Sequence, residues 1–214
     1  MGGNGLIAAR QGLLVVLSGP SGVGKGTVVA QAMAAPGETA ARLRRSVSVT
    51  TRPPRSDEVD GEHYFFRSPA QFDALVQQGA LLEWAAYLDQ RYGTPKEWVD
   101  QQLASGYDVV LEIEVNGAMQ VRRSRPDAVL IYMLPPSVEE LRRRLVGRGS
   151  DSEETQQRRL DVAQQEIACL EEYDYAIVND DVSRAAGRLL ALLEAERWRV
   201  KRLDLSALSE GICE

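Results

Sequence analysis

Two hydrophobic periods alternate along this chain of 214 residues. Leu13 to Leu17 are apolar without interruption, as in a strand buried on both faces of a parallel sheet. After a glycine-rich loop, Val28, Val29, Ala32 and Met33 fall on one side of a helix that Ala35-Pro36-Gly37 ends. Ser46 to Thr50 alternate as a short strand, and Thr51 to Gly61 form a long polar loop with two prolines. Tyr64 to Phe66 return as a strand. Ser68 and Pro69 open a helix with Phe72, Leu75 and Val76 inward, ended at Gly79. Leu81 to Tyr87 read as a strand and Arg91 to Thr94 as a loop. Thr94-Pro95-Lys96-Glu97 has a capping-box pattern for a helix ending at Gly106.

The second half repeats the alternation. Asp108 to Val115 predict a strand, followed by a short helix from Gly117 to Val121. Ala128 to Leu134 predict another strand, ended by Pro135-Pro136. Ser137 to Glu140 cap a helix through Leu145, and residues 147–151 break it. A long polar helix over 153–172 carries Leu160, Ala163, Ile167 and Leu170 inward. Tyr175 to Val178 form the last strand, and Ser183 to Lys201 the last helix, with Leu189, Leu190 and Leu193 buried. Strands alternating with helices predict an α/β fold, a parallel sheet wrapped by helices. Two blocks break the pattern, a strand-rich polar insertion over 46–94 and a shorter one over 147–158. Residues 13–202 read as one domain, between tails at 1–12 and 203–214.

Composition narrows the function. A net charge of −6 disfavours general nucleic-acid binding. No run of 18 apolar residues suggests a membrane span, and the glycine-rich start has no signal core, so cytoplasmic residence is expected. Cys169 and Cys213 have neither disulfide nor metal spacing, and Cys169 reads as core filler. His63 is the sole histidine and reads as a turn residue, which disfavours Ser-His or Cys-His catalysis.

The chemistry concentrates at Gly19-Pro20-Ser21-Gly22-Val23-Gly24-Lys25-Gly26-Thr27, placed between strand and helix. It matches the phosphate-loop spacing GxxxxGK[ST], with Gly26 in place of the magnesium-binding hydroxyl. Backbone N–H groups of such a loop, and the start of the helix behind it, form an anion nest. Lys25 adds one of three lysines in a chain with twenty-two arginines. On the strand from Asp108, Glu112 and Glu114 share a face and are candidates for magnesium or its waters; a solvated strand end is the alternative. Arg144, Arg148, Arg158 and Arg159 surround the second insertion, where Gly147 and Gly149 give hinge freedom, so a lid closing over phosphates is expected. In the first insertion, Arg52 and Arg55 with Tyr64 and Tyr92 suit a second phosphate. Glu83 lies in an apolar strand near Ser48 and Thr94, and a buried carboxylate there suits the paired N1–H and N2 amine of guanine.

Together these residues resemble the guanylate kinase family. The resemblance runs from about Leu13 to Arg202, through GPSGVGKGT at 19, SVSVTTRPPRSDEVDGEHYFF at 46, LLEWAAY at 81, YGTP at 92, LEIEVNGA at 111, RRLVGRGSDSEETQQRRL at 143 and YAIVND at 175. It implies a three-layer phosphate-loop kinase core with a GMP-binding subdomain and a small lid. It also implies Mg²⁺-dependent transfer of phosphate from ATP to GMP in purine nucleotide metabolism and GMP recycling. By resemblance, Ser48, Glu83 and Thr94 take guanine, while Arg52, Arg55, Tyr64 and Tyr92 take the GMP phosphate. Lys25 and the Gly19–Thr27 backbone hold ATP, Asn179 lies near its adenine, and Arg144, Arg148 and Arg159 match lid and transition-state arginines. Family members often carry Ser at 26, Asp at 114 and Gln at 116, where this chain has Gly26, Glu114 and Asn116. With that hydroxyl missing, magnesium is expected to be held mainly by phosphates and waters, with Glu112 or Glu114 in its outer shell. The small-molecule partners are then ATP and GMP, with dGMP a further acceptor, and the chain is a monomer or homodimer. Two rival readings are a non-catalytic guanylate-kinase-like binding module and a phosphate-loop kinase for another monophosphate.

Overall fold

The computed structural model describes residues 8–9, 11–87, 89–146 and 169–204. In chain order the strands are β1 (Ala8–Ala9), β2 (Leu14–Ser18), β3 (Leu43–Arg45), β4 (Ser48–Thr50), β5 (Tyr64–Phe66), β6 (Leu81–Tyr87), β7 (Gln90–Pro95), β8 (Asp108–Glu112), β9 (Val129–Leu134), β10 (Tyr175–Val178) and β11 (Leu203–Asp204). The helices are α1 (Lys25–Met33), α2 (Glu38–Arg42), α3 (Pro69–Gln77), α4 (Lys96–Ala104), α5 (Val115–Ser124), α6 (Val138–Val146) and α7 (Val182–Arg197).

The main sheet is parallel, in the order β10-β9-β2-β8-β3. All five residues of the central strand β2 are buried, as their uninterrupted apolar run requires. Its alternate side chains serve two cores. Leu13, Val15 and Leu17 pack with Val28, Val29 and Ala32 of α1 and Leu189 and Leu193 of α7. Leu14 and Val16 pack with Val99 and Leu103 of α4 and Ala118 and Val121 of α5. Helices on both faces make three layers. The carboxyl end of β2, between β8 and β9, is where a ligand crevice is expected in such a sheet.

Strands β5-β4-β7-β6 form a separate, mixed sheet. Here two expectations fail. Residues 91–94 are not a loop: Gln90–Pro95 is a strand paired antiparallel to β4 and β6. Gly93 and Pro95 give a turn-like sequence, but pairing on both sides overrides it. Thr94 does not cap α4 either. The N-cap is Pro95 with no side-chain bond, and the Thr94 hydroxyl is spent on Glu83.

Other corrections are local. β3, with sequence Leu-Arg-Arg, was not foreseen, because three residues with two charges carry no strand period. β8 ends at Glu112, and the helix expected from Gly117 begins at Val115 with Glu114 as N-cap. The two presumed tails meet, since Ala8–Ala9 pairs antiparallel with Leu203–Asp204, a backbone contact with no side-chain signature. Cys169 is only half-buried, just before a single 3₁₀ turn, so it does not fill the core. His63 is exposed and its Nδ1 accepts from Val59 N at 3.1 Å, a turn role. The insertion at 147–158 and most of the helix expected over 153–172 lie outside the described residues, as does Cys213. Among the described residues, no helix is long and apolar enough to cross a membrane.

One buried ion pair ties the layers. Asp108, at the start of β8, is fully buried; it accepts from Leu13 N at 2.7 Å and pairs with Arg197 at the end of α7. Removing one partner of such a pair leaves a buried charge uncompensated. Arg197→Ala should therefore lower the unfolding free energy by about 3–5 kcal/mol in urea titrations at neutral pH. A lone carboxyl there has its folded pKa raised, so its protonated form favours folding. The penalty should shrink as pH falls and reappear as pH rises through that pKa.

Candidate active site

The loop from Gly19 to Gly24 leaves β2 and enters α1 through backbone that only glycine adopts easily. Gly24 has φ 96°, and a Cβ there would meet Asn179 Nδ2 at 2.7 Å. Asn179 follows β10 and donates from Nδ2 to Val23 O at 2.8 Å, which pins the loop from the side. Its structural role is thus a brace for the loop. α1 has no side-chain cap and no acidic residue in its first turn. Its leading N–H groups keep their pull on an anion. Lys25 Nζ bonds back to Gly19 O at 2.5 Å, so the ammonium is held over the loop's own curve.

Glu112 ends β8 beside Leu17 of β2. Arg45, at the end of β3, brings Nε to 2.8 Å from Glu112 Oε1. That buried oxygen has no aligned hydrogen-bond donor, so the contact is ionic. Burial pushes the Glu112 carboxyl up, while Arg45 and Lys25 pull it down. A Cβ on Gly26 would lie 3.3 Å from Glu112 Oε2 and 3.5 Å from Arg45 Nη2. The space of the missing hydroxyl therefore faces this pair. The inferred shared face of Glu112 and Glu114 fails, because the strand stops between them. Glu114 is exposed at the α5 N-cap, and its charge acts on Glu83 instead.

The register of the second sheet gathers the other candidates. Ser48 pairs with Tyr64, Thr50 with Tyr92, and Ala85 with Tyr92 past a bulge between Leu81 and Trp84. Paired residues share a face and i, i+2 residues share it too, so Ser48, Tyr64, Tyr92 and Thr94 lie on one side. Glu83 joins them: its Oε1 accepts from Thr94 Oγ1 at 2.6 Å. Glu83 is 5% exposed. Burial raises its pKa, the Thr94 bonds oppose this, and Glu114 adds to it. Its other oxygen approaches α5 at Gly117, where a Cβ would sit 2.8 Å away, so only glycine leaves that oxygen room.

Arg52 lies beside this face, 5.5 Å from the Tyr64 ring centroid, and its pKa is raised by Glu58 first, with Tyr92 adding, against burial. Tyr64 and Tyr92 stack edge-on, centroids 6.2 Å apart. Arg55 is exposed on the same loop. Sequence reasoning missed Arg45, Glu58 and Gly117. Glu58 carried a signal, an acid three residues from one loop arginine and six from the other; Arg45 and Gly117 act only through long-range contacts. Arg148, Arg158 and Arg159 lie outside the described residues; Arg144 is in α6, its side chain outside them.

The guanylate kinase family model matches residues 11–196. Guanylate kinases of Streptococcus agalactiae serotype III and Streptococcus mutans are 51% and 49% identical over 195 residues; each alignment covers 91% of this chain, and 92% and 91% of the relatives. The crystal structure of guanylate kinase from Anaplasma phagocytophilum superposes with a TM-score of 0.71 at 32% identity, covering 92% of each chain.

The chain belongs to the guanylate kinase family.

A guanylate kinase reaction generally uses Mg²⁺, and the residues fit a loosely held ion. Among the described residues no group of three or more His, Cys, Asp or Glu could hold a metal. Glu112 instead offers one buried oxygen without an aligned donor beside the phosphate loop. Mg²⁺ keeps several waters and binds through one or two carboxylates plus substrate phosphates, which suits such a site.

The glycine requirement at 24 is testable without ligand. Gly24→Ala should cost about 2 kcal/mol through a strained φ and the collision with Asn179. That lowers the thermal midpoint by about 4–8 °C, at roughly 2–4 °C per kcal/mol for a chain this size. Adding Asn179→Gly should recover part of the loss, since it removes the colliding amide.

Proposed function

We propose that this chain transfers the γ-phosphoryl group of ATP to the phosphate of GMP, giving ADP and GDP. Family membership supports the reaction class. The observation that carries the base specificity is Glu83. Among the buried acids, Asp108 and Glu196 each face arginine, whereas no cation pairs with Glu83 among the described residues. Its partner is Thr94, which leaves acceptor capacity for the N1–H and N2 amine of guanine. A base without that donor pair leaves the carboxylate buried and unsatisfied, a heavy penalty. Ser48 and Thr94 complete the base site, while Arg52, Arg55, Tyr64 and Tyr92 hold the GMP phosphate.

The division of labour follows the fold. Residues 13–45 and 95–202 act as the ATP-binding core, 46–94 as the GMP-binding unit and about 147–158 as the lid. Lys25 and the N–H groups of Gly19 to Thr27 bind the ATP phosphates, and Asn179 keeps that loop in shape next to the adenine end. Glu112 would help to hold a Mg²⁺ ion through its outer shell, where the ion would supply positive charge to the phosphates, and Glu114, grouped electrostatically with Glu83, has the weaker claim. Arg144, Arg148 and Arg159 are assigned as lid and transition-state arginines, which offset charge on the transferring group. The attacking atom is a GMP phosphate oxygen. With its second pKa near about 6 it is already mostly dianionic at neutral pH, so no general base is required. Positioning and charge neutralisation suffice, in keeping with a chain whose one histidine lies in an exposed turn. Such an enzyme belongs to purine nucleotide metabolism in the cytoplasm.

Coupled ADP release with GMP, AMP, CMP and UMP tests this reading. Turnover is expected with GMP alone, and Lys25→Ala should lower kcat/KM by at least about 10²-fold. Turnover with AMP and none with GMP would support the kinase for another monophosphate. Tight GMP binding without turnover would support the binding module.

A further inference from the structure

Both arginines assigned to the GMP phosphate sit on a loop with little to hold it. Residues 51–59 contain two consecutive prolines and no helix or strand. Thr51 and His63 tie its two ends, and between them Glu58 bonds both arginines. Glu58 Oε1 pairs with Arg52 Nη2 at 2.7 Å, and Glu58 Oε2 accepts from Arg55 N at 2.8 Å. Glu58 N in turn donates to Arg55 O at 3.2 Å, closing a reciprocal turn around Arg55. Arg52 Nη1 donates to Pro53 O at 2.8 Å, so both loop contacts grip the terminal nitrogens of the guanidinium. The Glu58–Arg52 pair is well covered, with 10% and 19% of the side chains exposed. The guanidinium has five N–H donors; Glu58 and Pro53 take two, and the Tyr92 hydroxyl lies alongside.

We propose that Glu58 is a positioning residue for the acceptor phosphate: its carboxylate fixes the Arg52 guanidinium and the Arg55 backbone together, so that the Arg52 side chain and the backbone carrying Arg55 are ordered before GMP arrives. This deepens the function proposed above and rests on Arg52 and Arg55 being phosphate ligands. Two opposed effects set the outcome. A carboxylate near a dianionic phosphate repels it, and this repulsion is offset because the Glu58 charge is already paired with Arg52. Ordering the loop and one long, rotamer-rich arginine side chain at the moment of binding carries an entropic cost that a preorganised loop avoids. The bonds to Glu58 face the loop rather than the sheet, which favours preorganisation over competition. The same partners hold the Glu58 carboxyl at about 2, so it stays ionised through any working pH.

The test is Glu58→Gln, compared with the wild-type chain in titrations with GMP and with guanosine, which lacks the phosphate, followed by steady-state kinetics. The expected result is about a tenfold weaker Kd and KM for GMP, with guanosine affinity, KM for ATP and kcat each within about twofold. Equal losses for GMP and guanosine would mean that the variant merely loosens the whole sheet, and would overturn the proposal. Tighter GMP binding would overturn it too, making Glu58 a competitor for Arg52. Unchanged GMP affinity would show that Arg52 needs no guide. A wild-type chain that fails to phosphorylate GMP at all would sink the functional reading itself, whereas an active wild type with an indifferent variant would sink only this inference.

Discussion

A buried carboxylate must be given a partner, and this acidic chain buries several. Asp108 meets Arg197 and Leu13 N and thereby ties β2, β8 and α7 together. Glu196 meets Arg199, Arg202 and the Tyr175 hydroxyl. Glu112 meets Arg45 at the edge of the phosphate loop. Each of these is neutralised within the fold. Glu83 is the exception, also buried but matched, among the described residues, by Thr94 and no cation. The same rule that stabilises the framework therefore sets Glu83 apart as the buried acid held by a hydroxyl and not by a cation among the described residues.

The two sheets divide the work by geometry. The parallel sheet offers the carboxyl end of β2, where a glycine turn and an uncapped helix present donors to anions. The mixed sheet offers one face, with the acid at β6 and the arginine loop after β4. Among the described residues, neither sheet carries a histidine at these positions. That suits a reaction in which both reacting groups are phosphates and the protein supplies placement and positive charge.

Much of this was legible along the chain. The five-residue apolar run, the glycine loop and the amphipathic α1 are contiguous, so their periods announce them. The Ser68 cap is local as well, and the structure has it as a full capping box. What escaped notice depends on distant partners. β7 hides because Arg91-Tyr92-Gly93-Thr94-Pro95 has the composition of a turn, and only its two neighbouring strands make it extended. Thr94 looks like a helix cap until Glu83 claims its hydroxyl. Glu112 and Glu114 look like one strand face until the strand ends at the first of them. The grouping of Ser48, Tyr64, Glu83, Tyr92 and Thr94 on one face follows at once from strand parity, but only when β7 is known to be a strand.

The most direct measurement compares GMP with IMP, which keeps N1–H but lacks the 2-amino group, as acceptors for the wild-type chain and for Glu83→Gln. If Glu83 reads guanine through both donors, the wild type should favour GMP by about 10²-fold or more in kcat/KM. The variant should lose most of that preference, because its activity with GMP falls far more than its activity with IMP. The same GMP-to-IMP ratio in both proteins would contradict the account, and would mean that the buried carboxylate of Glu83 serves the sheet and not the base.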